Sequence, residues 1–141
     1  MKRLAALSCV LLASATLLGL AGGAAGSPPD GLRIVVWPKG KAKGGARVFT
    51  LRCEGGRSSH PQPERACRAL AGLEAPFRPI PVGAACTQQY GGPQEALVTG
   101  YHRGLRVWTW FRRSDGCEIT RWNRVRFLFP VPLGSRSFAS S

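Results

Sequence analysis

Five cysteines, two histidines and seven carboxylates are the side chains in this 141-residue chain that could do covalent, acid–base or metal chemistry. Their spacing excludes most of it. The cysteines stand at 9, 53, 67, 86 and 117 with no Cys-x-x-Cys pair, and His60 and His102 are isolated, so no zinc-ligand pattern is present. No Gly-x-Ser-x-Gly elbow accompanies the histidines, and the carboxylates are scattered. His60, just before a short helix, and His102, at a turn, read as solvated surface residues. An enzyme, a cofactor and a metal are therefore not expected. Crosslinking is the chemistry left to the cysteines, and it depends on the compartment.

The N-terminus addresses that question. Met1-Lys2-Arg3 is a basic start, Leu4 to Leu20 carries no charge, and Ala21 to Gly26 supplies the small residues that a signal peptidase accepts. Residues 1–26 read as a signal peptide cut after Ala25 or Gly26, which makes the protein secreted and extracellular. No later apolar run reaches membrane-spanning length, so no stable membrane insertion is expected after cleavage. Cleavage removes Cys9 and leaves four cysteines, an even number that in a small exported domain reads as two disulfides. Three pairings are possible. Sequential pairing closes loops with 13 and 30 intervening residues, each stabilising by roughly 3–4 kcal/mol.

The elements that would position these residues are short. Residues 27–31 form a Ser/Pro/Gly tail. Leu32–Trp37 is β-branched and aromatic, hence a strand, and Arg47–Cys53 alternates, so the two form a hairpin with a long basic tip at 38–45. Glu64–Ala71, with proline before it and Gly72 after it, has the start and stop of a helix. Residues 76–94 hold four prolines and three glycines with no periodicity, a pattern that in a compact domain marks a functional or disordered segment, and Cys86 argues against disorder. Glu95–His102 and Leu105–Arg112 are strands joined at Arg103-Gly104. Cys117–Asn123 is a short helix or turn, and Val125–Phe129 is a fifth strand with Val125, Phe127 and Phe129 inward. Residues 130–141 form a C-terminal tail. One α+β domain at 32–129 follows, a five-stranded antiparallel sheet packed by one or two short helices.

The order strand, Cys53, helix with Cys67, proline-rich stretch, Ala85-Cys86-Thr87-Gln88-Gln89-Tyr90, Pro93, two strands and Cys117 twelve residues before Phe129 resembles the subtilisin inhibitor-like family of secreted bacterial protease inhibitors. The resemblance implies disulfides Cys53–Cys67 and Cys86–Cys117, and a homodimer through sheet faces that would cover Trp108 and Trp110. It also implies an exposed reactive loop at Ala85, Cys86, Thr87, Gln88, Gln89 and Tyr90 with the scissile bond at Gln88–Gln89. The partner would be an extracellular serine endopeptidase, subtilisin-like above all. Two departures stand out. Gln88 is neither the large apolar residue subtilisins favour nor the Lys or Arg of trypsin-like targets. The run Tyr90-Gly91-Gly92-Pro93 is one residue longer than the family's usual spacing and rich in glycine, which predicts a looser loop.

Charge supports a different reading. The chain carries a net +13, and removal of residues 1–26 leaves 18 basic against 7 acidic side chains. Arg106–Arg113 and Arg121–Arg126 interleave arginine with aromatics, as single-strand nucleic-acid surfaces do. Export argues against nucleic acid. The alternative is a secreted cationic binding protein for acidic polymers or an acidic protein, without protease inhibition.

Overall fold

The computed structural model describes residues 29–130. The expected signal peptide and the C-terminal tail beyond Pro130 lie outside these residues. Four strands form one antiparallel sheet: β1 (Gly31–Trp37), β2 (Arg47–Leu51), β3 (Glu95–His102) and β4 (Leu105–Phe111), in the order β2-β1-β3-β4. Two helices, α1 (Pro63–Ala71) and α2 (Gly116–Val125), belong to the same α+β domain.

Strand alternation sets the two faces. The cross-strand rows Leu51–Leu32–Gly100–Val107, Phe49–Ile34–Val98–Thr109 and Arg47–Val36–Ala96–Phe111 lie on one face. Their apolar members form a core with Ala66 and Leu70 of α1 and Trp122 and Val125 of α2. The other face carries Arg33, Val35, Trp37, Val48, Leu97, Trp108 and Trp110, while α1 and α2 pack on the core-forming face.

A fifth strand at Val125–Phe129 is not formed. Instead α2 runs to Val125, and a 3-10 turn covers Arg126–Leu128. The cause is local. Asp115 is the N-cap, its carboxylate accepting the Glu118 N–H at 3.0 Å, and Ile119 N–H bonds the Asp115 carbonyl at 2.9 Å. A helix started there repeats its buried face every three to four residues, so Trp122, Val125 and Leu128 enter the core. The alternation of Val125, Phe127 and Phe129 suggested a strand, but Leu128 is fully buried and Phe127 only half-buried.

The expected N-terminal tail is fixed at its inner end. β1 begins at Gly31, and the Asp30 carboxylate accepts the main-chain N–H groups of Arg103 and Gly104. Those two residues form the β3–β4 turn, both with positive φ (52° and 72°), as a tight hairpin turn requires. The hydrogen bond from Gly104 lowers the Asp30 pKa below 3.8, against a smaller opposing effect of burial.

His60 is not the solvated residue that its sequence position suggested. It is 4% exposed, with Nε2–H donating to the Phe127 carbonyl at 3.1 Å and Nδ1 accepting the Gln62 N–H at 3.2 Å. This pattern requires the neutral ring, since a proton on Nδ1 would face the Gln62 N–H. Burial accordingly pushes the pKa below 6.5. Burial and Arg103 lower His102 as well. The unfolded chain therefore binds more protons than the folded one as acid is added, and stability falls with pH through 6.5 and levels off below the folded value. The urea midpoint is expected to be lower at about pH 5 than at about pH 8. His60→Gln, which keeps a donor and an acceptor, should remove part of that loss.

Candidate functional site

The proline-rich connection between α1 and β3 runs over the surface and is held by a few contacts. Disulfides join Cys53 to Cys67, which ties the end of β2 to α1, and Cys86 to Cys117, which ties the connection to the first turn of α2. The second of these leads straight into the Thr87–Tyr90 run.

One residue after Cys86, the Thr87 carbonyl accepts the Gly116 N–H at 3.0 Å. On the far side, the Gly91 N–H donates to the Arg113 carbonyl at 2.8 Å. Between these two anchors lie Gln88, Gln89 and Tyr90, all exposed, Tyr90 at 60%. An exposed peptide of three residues, fixed at both ends to the β4–α2 connection, is the central feature of the site. Both anchoring partners, Arg113 and Gly116, are absent from the sequence-level site.

The glycines have specific tasks here. A Cβ on Gly116 would lie 2.1 Å from Thr87 Oγ1, and one on Gly91 would lie 2.8 Å from Ile119 Cγ1 and 3.2 Å from Arg113 Cβ. Gly91 and Gly116 are therefore small so that the loop can approach α2 closely. This reverses the reading of Gly91 as a source of slack. Gly92, at φ 130°, turns the chain into β3 in a region that other residues rarely adopt. Behind the turn, buried Gln94 accepts from the Arg113 guanidinium at 3.3 Å, so Arg113 supports this end of the loop with both its main chain and its side chain.

Asp115 completes the anchor. As the α2 N-cap it fixes where Gly116 and Cys117 point. The Glu118 N–H, and less strongly the Ser114 hydroxyl and the Cys117 N–H, lower its pKa below 3.8. Cys86, Asp115 and Cys117 are near enough to one another to suggest a metal site. The two sulfurs are bonded to each other, so they are not thiolate ligands.

Trp108 and Trp110 share the open sheet face but differ in state. Trp108 is 64% exposed. Trp110 is half-buried, stacked on Trp37 at a centroid distance of 5.5 Å, with Lys41 and Arg112 over its ring at 5.1 and 5.5 Å. No helix among the described residues is long and apolar enough to cross a membrane.

Comparison with curated proteins gave no match. A family model described as subtilisin inhibitor-like matches residues 30–114, which takes in all four strands, α1, the exposed loop and its Arg113 anchor. Spanning more than half of the chain, that match shows that the protein belongs to the subtilisin inhibitor-like family.

Proposed function

We propose that this chain is a secreted inhibitor of extracellular serine endopeptidases, subtilisin-like ones above all. Residues 1–26 serve as the signal peptide, 32–129 as the inhibitory domain, and Ala85–Tyr90 as the reactive loop with its scissile bond at Gln88–Gln89. The observation that carries this reading is the three-residue exposed peptide held at Thr87 and Gly91 beside a disulfide.

The chemistry follows from that restraint. An extended exposed peptide pairs with a protease's substrate-binding edge through its main chain. Little conformational freedom is left to lose on binding, because both ends are already fixed. When the enzyme's serine attacks the Gln88 carbonyl, the bond to Gln89 nitrogen breaks and the amine leaves. Here that amine stays tethered through Gly91, opposite the new acyl ester. A tethered nucleophile acts at a high effective concentration, so it re-forms the peptide bond in competition with water. The complex persists and turnover is slow.

The test is a screen of the purified mature protein against subtilisin-type and trypsin-type enzymes, with Gln88→Pro as control. Inhibition that disappears in the control supports the reading. Full protease activity throughout refutes it and leaves the fold intact.

We further propose a homodimer through the open sheet face. Val48 and Trp108 stand exposed on that face, opposite the core formed with α1 and α2. Trp108→Glu is expected to shift the protein from dimer to monomer in sedimentation without changing its circular dichroism. An unchanged mass would place the interface elsewhere.

A further inference from the structure

The loop itself carries no charge, but its surroundings do. On one side lies a groove of about 560 Å³ where Arg78, Arg121 and Arg124 flank Ala85, Thr87 and Gln89. On the other lies a groove of about 360 Å³ where Lys39, Lys41, Lys43, Arg112 and Arg113 flank Tyr90. The chain thus brings residues from four separate segments to one place. Eight cationic side chains line the two grooves, with Glu95 as the single carboxylate. Among the described residues there are two ion pairs, Arg112–Glu95 and Arg121–Glu118. They neutralise one cation on each side and leave the rest.

The lysine-bearing tip is fixed in this position. The Lys41 N–H donates to Glu95 at 2.7 Å, and Gly40 sits so close to Pro93 that a Cβ would come within 3.0 Å of the Pro93 carbonyl. The basic hairpin tip is therefore docked against the base of the reactive loop. Like charges gathered this closely repel one another, and among the described residues the side chains of Lys39, Lys43 and Arg78 make no ion pair that offsets this within the domain.

We propose that this cationic collar is the second half of the recognition surface, and that the target is an endopeptidase whose substrate cleft is rimmed by acidic side chains. The proposal rests on the reactive-loop reading above. The collar steers the enzyme to the loop and aligns its cleft, an effect that acts on the association rate and is screened by salt.

The experiment measures association and dissociation rates of the mature protein with a subtilisin-type enzyme that has an acidic cleft rim. A second enzyme carries amides in place of the rim carboxylates. Salt is varied from about 0.01 M to about 1 M. For the acidic enzyme, association is expected to slow by about 10-fold or more as salt rises, with dissociation little changed. The amide enzyme should show a flat profile. The variant Lys39→Glu/Lys43→Glu/Arg78→Glu should associate slowly and lose the salt dependence, while Gln88 still decides whether inhibition occurs. Inhibition with no salt dependence, or equal rates for the variant, overturns the collar and leaves the loop reading standing. Binding of an added polyanion that leaves inhibition rates unchanged assigns the collar to acidic polymers instead. No inhibition of either enzyme at any salt concentration overturns both readings.

Discussion

Replacing Cys86 and Cys117 together by serine is expected to turn the protein from an inhibitor into a substrate. The disulfide closes a loop between residues separated by 31 positions and sits one residue before Thr87. Without it the segment before the scissile bond is held mainly by one hydrogen bond, from Gly116 to the Thr87 carbonyl. Immobilising each side chain of a free loop at an interface costs about 0.5–1.5 kcal/mol. Three or four newly mobile residues therefore weaken binding by about 1.5–6 kcal/mol, or roughly 10- to 20,000-fold. The second consequence is kinetic: without the crosslink the acyl ester and the Gln89 amine are no longer held beside each other, so hydrolysis outruns religation. Loss of the crosslink also lowers stability by roughly 3–4 kcal/mol. The assay is therefore run where circular dichroism shows the variant folded through its remaining Cys53–Cys67 bond. Mass spectrometry after incubation with protease should show rapid, complete cleavage of the variant and slow, partial cleavage of the parent. Equal persistence of both would show that the crosslink does not hold the loop.

Changing Gln88 should change which enzyme is inhibited. Gln88 is exposed and lies between the anchors, so its side chain is free to enter a specificity pocket and can be replaced without disturbing the core. A glutamine buries a polar amide in that pocket, whereas an apolar side chain gains about 1.5–3 kcal/mol on full burial. Gln88→Leu is expected to tighten inhibition of subtilisin-type enzymes by about 10- to 100-fold. Gln88→Lys should weaken that inhibition and create inhibition of trypsin-type enzymes, whose pocket requires a cation. Gln88→Pro removes a main-chain donor and fixes φ, and should abolish inhibition. Inhibition constants for the three variants against one enzyme of each type check this order. Identical constants across the series would place the specificity residue elsewhere.

Much of this architecture was legible because period-two alternation is a local signal. The strands at Arg47 and Leu105 stand close to where alternation placed them, those at Leu32 and Glu95 close to their expected positions, and proline before and glycine after the helix marked α1. The error at Val125–Phe129 came from reading alternation where a helix cap had already set another period. Asp115, with Glu118 three residues on, is the signal that could have corrected it. The exposed run at Gln88–Tyr90 was likewise readable from the cysteine spacing and the family resemblance. Its anchors were not. Nothing in the local sequence tells that the Arg113 carbonyl will face the Gly91 N–H, because that pairing depends on how β3, β4 and α2 come together. For the same reason His60 looked solvated: its two partners are Gln62 nearby and Phe127, 67 residues away. The glycine pair at 91–92 misled as well, since glycine allows close approach and flexibility alike, and only the packing on Ile119 distinguishes them.

The most direct test begins with the protein cut at Gln88–Gln89 and purified with its disulfides intact. Incubated with a catalytic amount of the inhibited protease, this cleaved form should regain the Gln88–Gln89 bond and reach the same mixture of intact and cut chains as the uncut protein does. If the cut form stays cut, or is trimmed further at other bonds, the two ends are not held together, and the chain does not inhibit in this way.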